Sequence, residues 1–116
     1  MYKRQALATL ETYEDEQLLT RASKLENYWQ EKLHKLRDCP YVIDIRNIGL
    51  IGAIELQPIQ DSPTKRAYSV FLKAFEKGCL IRATGDTIAL SPPLIISETQ
   101  IDELIECIKE AINEID

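Results

Sequence analysis

Apolar residues recur at spacings of three and four along the first third of the chain, the repeat that places side chains on one face of an α-helix. This stripe comprises Leu18, Ala22, Leu25, Trp29, Leu33 and Leu36. A shorter stripe upstream comprises Leu7, Leu10 and Tyr13. The acidic residues 14–16 separate the two stripes and predict a kink or turn there. The helix is expected to end before Cys39, because Pro40 disfavours helical geometry in the residue that precedes it.

Two segments rich in β-branched residues follow, residues 42–48 and 50–58, and both predict strands. Side chains alternate between the two faces of a strand. In the second segment one predicted face therefore carries Leu50, Gly52, Ile54 and Leu56, and the other Ile51, Ala53 and Glu55. Gly49 lies between the segments and predicts a bulge or a bend.

Local signals predict two further helices. Ser62 as the N-cap and Pro63 at the first helical position predict the start of one, and Gly78 suits its left-handed end. The apolar stripe predicted for this helix comprises Val70, Phe71, Ala74 and Phe75. Ser97 and Gln100 form a capping box, which predicts the start of the last helix. The apolar side of that helix comprises Ile101, Leu104, Ile105, Ile108, Ile112 and Ile115.

A hairpin is predicted between these two helices. Gly85 can take the positive φ that the first central position of a type II′ turn requires. This register pairs Thr84 with Thr87 and Arg82 with Ala89. The core face then carries Ile81, Ala83, Ile88 and Leu90. Arg82 lies on the other face beside short side chains, where a guanidinium has room to grip a carboxylate through two parallel hydrogen bonds. A solvated arginine on an exposed face is the simpler interpretation of the pattern alone.

The element order is helix, two strands, helix, two strands, helix, which predicts an α+β fold with a mostly antiparallel sheet and helices packed on it. A length of 116 residues is enough to form a hydrophobic core without disulfide bonds or a structural metal. We expect an N-terminal helical segment at residues 1–38 and an α+β unit at residues 39–116. The chain contains no internal repeat and no low-complexity segment.

Charge and cysteine usage exclude several classes of function. The net charge is −5 and the basic residues are scattered, which argues against a surface for nucleic acid or anionic membranes. Cys39, Cys79 and Cys107 form no CxxC pair, and His34 is the one histidine, so a zinc site is not predicted. A catalytic cysteine lacks a base. Free thiols in a reducing cytosol are the expectation.

Other polar and aromatic residues have ordinary structural interpretations. A salt link or an exposed face explains Asp44, Arg46 and Glu55 better than a catalytic carboxylate. His34 is expected to be exposed to solvent. Asp86 belongs to the turn chemistry of the hairpin tip, with an orienting role toward Arg82 as the alternative. The aromatic pair Tyr28 and Trp29 is expected to pack against the sheet or against a domain outside this chain.

Three segments together resemble one known family: DIRNIGLIGAIEL (44–56), RAYSVFLKAFEKG (66–78) and IRATGDTIALSPPLI (81–95). In order and spacing they are similar to the C-terminal small domain of class III aminotransferases, which are pyridoxal-phosphate enzymes of fold type I. The ω-amino acid (β-alanine):pyruvate transaminases are the most similar subgroup. The resemblance runs from about residue 6 to the end of the chain, and it implies that Arg82 binds the carboxylate of the substrate as a mobile clamp.

The resemblance also implies what lies elsewhere. The Schiff-base lysine, the acidic partner of the pyridinium nitrogen and the phosphate cradle belong to the large domain of such enzymes. We therefore expect no catalytic, metal-binding or cofactor-binding residue in this chain, and no activity from the chain alone. The parent enzyme is expected to be a cytoplasmic homodimer that takes an amino donor and a keto acid. Other amino donors, such as ornithine or 4-aminobutyrate, stay open.

Residues 1–5 (MYKRQ) do not resemble the family. They are similar to the translation of a transposon adapter used in sequencing libraries, and we expect them to be non-native residues on a fragment of a longer reading frame. An independent module for small-molecule binding or dimerisation is the alternative from another class of function, because helices alternating with hairpins also suit regulatory domains.

Overall fold

Helices and strands alternate along the chain as the apolar pattern predicts. The computed structural model describes residues 2–115. Its elements, in chain order, are α1 (Tyr2–Asp15), α2 (Leu18–His34), a 3₁₀ turn (Lys35–Asp38), β1 (Val42–Ile48), β2 (Ile51–Leu56), α3 (Lys65–Glu76), β3 (Arg82–Thr84), β4 (Thr87–Leu90) and α4 (Glu98–Asn113). The break between α1 and α2 falls at the acidic run, and the 3₁₀ turn ends just before Cys39, so both predicted boundaries are confirmed.

The four strands of residues 2–115 form one sheet in the order β1-β2-β4-β3, and every neighbouring pair is antiparallel. Helices α2, α3 and α4 lie on one face of this sheet, and the core fills the space between the two layers. The largest fully buried side chains are Trp29, Leu33, Leu36, Ile54, Leu56, Val70, Ile88, Ile101, Ile108 and Ile112. The predicted α+β fold with an antiparallel sheet is confirmed.

Close packing between α2 and the sheet depends on one glycine. A Cβ atom at Gly52 would lie 2.7 Å from Leu33 Cδ2 and 3.1 Å from Trp29 Cζ2. Trp29 is fully buried, and its indole N–H donates to the carbonyl oxygen of Ile51 at 3.4 Å. Helix α2 can therefore lie directly on β2 only because position 52 has no side chain. The prediction that Trp29 packs against the sheet is confirmed.

The predicted hairpin register is also confirmed. Thr84 pairs with Thr87, and Arg82 pairs with Ala89. Gly85 has a φ of 61° and Asp86 has a negative φ. A type II′ turn requires this combination at its two central positions. The bend predicted at Gly49 is present as the turn between β1 and β2, where φ is 55°.

The predicted start of α3 is wrong. The helix begins at Lys65 rather than at Pro63, and its N-cap is Thr64, which has a φ of 72° and makes no side-chain cap. Ser62 instead closes a turn by donating its N–H to the carbonyl oxygen of Ile59 at 3.0 Å. The N–H of Thr64 donates to Asp86 Oδ1 of the hairpin tip at 2.8 Å. A tertiary hydrogen bond thus decides where the helix starts.

The apolar stripe of α3 is narrower than predicted. Val70 and Ala74 are fully buried, but Phe75 is 62% exposed. Each helical residue is rotated by roughly 100° from the one before it. Phe75 therefore points away from the line that Ala67, Val70 and Ala74 form. Gly78, with a φ of 92°, follows the end of the helix in the left-handed conformation that was predicted.

Within residues 2–115, no helix combines the length and the apolar character that crossing a membrane requires.

Candidate functional site

The face of the sheet opposite helices α2, α3 and α4 carries a row of four residues across all four strands. Arg46 of β1 pairs with Ala53 of β2, Ala53 pairs with Ala89 of β4, and Ala89 pairs with Arg82 of β3. Two arginines therefore stand at the two ends of one row, about 14 Å apart at the usual spacing of strands. Only methyl groups lie between them.

The arginine on β1 is neutralised by its neighbours. Arg46 Nη1 donates to Asp44 Oδ2 at 2.5 Å and to Glu55 Oε2 at 2.9 Å. Hydrogen bonds to Glu55 and Asp44 raise the pKa of Arg46, and the bond from Arg46 holds the pKa of Asp44 below its usual range. The structural salt link that the sequence predicted for these three residues is confirmed.

The arginine on β3 has no such neighbours. Arg82 is exposed, and among residues 2–115 its guanidinium makes no ion pair and no hydrogen bond. Asp86 is the nearest acid along the chain, but its carboxylate accepts a hydrogen bond from the N–H of Thr64 instead. The orienting role considered for Asp86 is therefore not seen. Asp86 lies in the hairpin turn, but its carboxylate binds a residue outside that turn. Arg82 is therefore an exposed cation whose guanidinium donors have no hydrogen-bond partner among residues 2–115.

Arg82 lies at the edge of an open groove of about 760 Å³. The groove is lined mostly by apolar side chains: Ile51, Leu80, Ile81, Ala89, Leu90, Pro92, Pro93, Ile96 and Leu104, with Ser91 beside them. A cation at the rim of an apolar groove can hold the carboxylate of a small molecule while the rest of that molecule contacts the apolar wall. Arg82 supplies the charge-assisted donors for such a contact.

Helix α2 holds the walls of this groove in place. Arg21 Nη1 donates to the carbonyl oxygen of Leu94 at 2.6 Å, which fixes the proline segment that follows β4. Glu26 Oε2 accepts from the N–H of Gly49, and Trp29 donates to Ile51. The turn between β1 and β2 is thereby fixed from the same helix. Arg21 and Glu26 were not singled out from the sequence, because partners so distant along the chain leave no local pattern.

A second apolar groove of about 790 Å³ continues from the first toward α1 and shares Ile51, Pro92 and Pro93 with it. Four large apolar side chains that line the two grooves are more than half exposed: Ile48, Ile51, Leu80 and Ile95. Leu7 and Leu10 of α1 and Leu19 of α2 are also more than half exposed. Helix α1 has no buried residue at all. Apolar surface of this extent is typical of a region that another protein surface covers.

His34 is not the solvent-exposed side chain that the sequence predicted. It is half-buried, its Nε2 lies 2.8 Å from Asn47 Oδ1, and its Nδ1 lies 3.0 Å from Arg37 Nη2. Because a guanidinium can only donate, Nδ1 accepts and Nε2 carries the hydrogen. The histidine joins the end of α2 to β1. The sequence prediction missed this contact because Asn47 lies on β1, and the apolar pattern of α2 alone does not show which strand residues lie beside it.

The three cysteines are free thiols, as predicted. Burial raises the pKa of Cys39. Within the described part of the chain, no three or more His, Cys, Asp or Glu side chains come close enough together to hold a metal ion.

Comparison with known proteins decides the family. The family model described as aminotransferase class III matches residues 4–112, which is most of the chain. The chain belongs to the class III aminotransferases. An omega-aminotransferase of Caulobacter vibrioides is 50% identical over 110 residues, which are 95% of this chain and 25% of that protein. A beta-alanine–pyruvate aminotransferase of Pseudomonas aeruginosa is 33% identical over 107 residues, 92% of this chain and 24% of that protein.

Solved structures of class III aminotransferases have the same fold. A thermostable omega transaminase mutant from Pseudomonas jessenii superposes with a TM-score of 0.88 at 31% identity, covering 94% of this chain and 26% of that one. The adenosylmethionine-8-amino-7-oxononanoate aminotransferase of Methanocaldococcus jannaschii gives 0.87 at 36% identity, covering 96% and 27%. The chain thus spans about a quarter of the length of the relatives it matches.

Class III membership implies pyridoxal phosphate. The cofactor needs a lysine for its Schiff base. Among residues 2–115, no lysine lines the groove beside Arg82. Lys32 and Lys77 are engaged with Asp102 and with Glu110 and Glu114 on the opposite side of the sheet from Arg82.

Proposed function

We propose that this chain is the carboxylate-recognising part of a class III aminotransferase that transfers an amino group from an ω-amino acid or amine to pyruvate. Arg82 is the residue that recognises the carboxylate. The observation that carries this proposal is the contrast between two arginines in one row: Arg46 is neutralised by two carboxylates, whereas Arg82 is exposed, unpaired among residues 2–115, and adjacent to an apolar groove.

The groove supports the choice of substrate class. A guanidinium at its rim matches the carboxylate of pyruvate or of an amino acid, and the apolar wall matches the remainder of a small substrate or an amine without a carboxylate. The short side chain of Ala89 leaves room for the Arg82 side chain to move aside when no carboxylate is present. The names of two relatives, an omega-aminotransferase and a beta-alanine–pyruvate aminotransferase, support the same substrate class.

The exposed apolar surface supports the proposal that the rest of the enzyme lies against the two grooves and α1. We propose that a large domain covers this surface, binds pyridoxal phosphate and supplies the Schiff-base lysine. When bound, the cofactor provides the electron sink that amino transfer needs. The chain alone is then expected to bind no pyridoxal phosphate and to transfer no amino group. We further propose, from the resemblance, that the whole enzyme is a cytoplasmic homodimer.

A chimera tests the proposal. Residues 6–116 would replace the matching segment of the Caulobacter vibrioides omega-aminotransferase, and amino transfer to pyruvate from β-alanine and from a simple amine would be measured. The proposal predicts a soluble chimera with the absorbance of bound pyridoxal phosphate and with activity on both donors. A chimera that binds the cofactor but transfers no amino group to pyruvate would contradict it. If the chimera used ornithine or 4-aminobutyrate in place of these donors, amino transfer to pyruvate would be supported and the proposed class of amino donor would be replaced.

A titration of the 116-residue chain with pyruvate, without cofactor, separates an independent binding module from a part of an enzyme. A module gains thermal stability as the ligand concentration rises above its Kd. The proposed part of an enzyme shows no shift of its melting temperature at pyruvate concentrations that saturate the chimera, because half of the binding site is missing.

A further inference from the structure

Two of the three cysteines meet at one backbone oxygen. The N–H of Cys79 donates to the carbonyl oxygen of Ala74 at 2.9 Å, and the thiol of Cys107 lies 3.8 Å from the same oxygen. Cys79 follows Gly78, the left-handed residue just beyond the end of α3, whereas Cys107 lies in the middle of α4. Two cysteines that are far apart in the sequence are thus brought together where α3 packs on α4.

The two thiols differ in environment. Cys107 is buried, and its burial together with hydrogen bonding to the Cys79 thiol raises the pKa of Cys107 to about 12. Cys79 is only half-buried, so that small molecules can reach it. The charged groups that face the pair are Lys77 of the α3 end and Glu110 of α4, which form an ion pair at 3.4 Å. One thiol is therefore accessible and the other is held behind it.

We propose that Cys79 and Cys107 are a redox-active pair, which small-molecule disulfides convert to an intramolecular disulfide. The Cys79 thiolate attacks one sulfur of the small disulfide, forms a mixed disulfide and releases one thiolate. The Cys107 thiolate then attacks the Cys79 sulfur, closes the protein disulfide and releases the second thiolate. Two protein thiols lose two electrons and two protons, and the small disulfide is reduced to two thiols.

The bond would join α4 to the segment that leads into β3. Arg82 is the first residue of β3, so the cross-link fixes the polypeptide immediately before the proposed carboxylate clamp. A cross-link between distant residues also reduces the conformational freedom of the unfolded chain. The oxidised chain is therefore expected to melt at a higher temperature than the reduced chain, and a small thiol is expected to reverse the change.

Peptide mapping of the full 116-residue chain tests the proposal directly. The chain is incubated with oxidised glutathione at about pH 9, where more thiolate is present, and digested without reductant. The proposal predicts a linked pair of peptides that contain Cys79 and Cys107, a mass lower by about 2 Da for the two lost hydrogens, and Cys39 as the remaining free thiol. A persistent glutathione adduct on Cys79, a link to Cys39, or three free thiols would each overturn it.

Variants provide the matched control. Cys39→Ser is expected to close the disulfide at the rate of the unmodified chain, whereas Cys79→Ser and Cys107→Ser abolish it. The map of the unmodified chain decides the question even if Cys107→Ser does not fold. The rate of closure is expected to rise with pH between pH 8 and 10, because attack requires the Cys107 thiolate and burial raises the pKa of that thiol. A rate independent of pH over this range would contradict attack by Cys107.

Discussion

Arg82 stands directly opposite Ala89 in the antiparallel ladder of β3 and β4. The longest side chain on the uncovered face of the hairpin thus faces the shortest. Ala53, next in the row, is equally short, so that the guanidinium has open space along the sheet. This arrangement gives the proposed clamp room to turn toward the groove or away from it.

Filling that space should impair recognition of carboxylates. In the chimera, Ala89→Leu is expected to raise the KM for pyruvate about tenfold, with a smaller effect on kcat, because opposed Cβ atoms lie only about 5 Å apart. Ala53→Leu is the matched control, since it adds the same bulk one strand farther from Arg82, and a change below threefold is expected. Equal effects of the two variants would contradict a role for Ala89 in the movement of Arg82.

Gly52 should tolerate no side chain. In Gly52→Ala the new methyl group would meet Leu33 and Trp29, both fully buried, at 2.7 and 3.1 Å. Overpacking of this kind lowers the free energy of unfolding by about 1–3 kcal/mol. Urea denaturation measures this loss in the free energy of unfolding. Gly49→Asn is the control: no atom lies within 4 Å of its Cβ position. Because asparagine tolerates positive φ, that change should stay within about 0.5 kcal/mol.

Most of the fold can be predicted from local pattern. The stripe around Trp29, the strand alternation at Ile54 and the turn at Gly85 each depend on residues close together in the sequence, and all three predictions are confirmed. The start of α3 is where local reasoning fails. Ser62 and Pro63 are good start signals, but the hydrogen bond between Asp86 and Thr64 comes from another part of the chain and outweighs them.

The candidate site was predictable to a smaller extent. Arg82 and its small neighbours follow from the hairpin register. The absence of an acidic partner for Arg82 depends on where Asp86, Asp44 of β1 and Glu55 of β2 lie in three dimensions. Likewise, Arg21 could not be assigned to the wall of the groove, because its acceptor, Leu94, lies far along the sequence. The meeting of Cys79 with Cys107 has the same origin in tertiary packing.

Thr64 should be replaceable with a gain in stability. A β-branched residue at a φ of 72° is strained, and its side chain makes no cap that would be lost. Thr64→Gly is expected to raise the free energy of unfolding by about 1 kcal/mol, while it keeps the N–H that binds Asp86. Thermal denaturation provides the measurement. Ser97→Ala is the opposite case, because the Ser97 hydroxyl accepts from the N–H of Gln100 at 3.1 Å, and a loss of about 1 kcal/mol is expected.

Tyr28 should lose its phenolic proton at a higher pH than an ordinary tyrosine. A hydrogen bond to Asp102 at 2.6 Å is the largest cause that raises the pKa of Tyr28 to about 12. Because this pKa is higher in the folded chain than in the unfolded one, the associated stability is present below pH 10 and is lost as the pH rises toward 12. Ultraviolet titration of Asp102→Asn should show the pKa returning toward 10. Glu98→Gln, which removes a weaker and more distant influence, should shift it less. An unchanged titration in Asp102→Asn would disprove the hydrogen bond.

The affinity of the chimera for pyruvate, compared between Arg82→Ala and Arg46→Ala, tests the central claim most directly. Loss of a charge-assisted pair costs about 2–3 kcal/mol, so that Arg82→Ala should weaken pyruvate binding roughly 30- to 150-fold. The KM for an amine without a carboxylate should change less than threefold. Arg46→Ala, at the other end of the same row, should leave both values within threefold. Equal losses for pyruvate and amine in Arg82→Ala, or equal losses in the two variants, would contradict the proposal that Arg82 recognises the carboxylate.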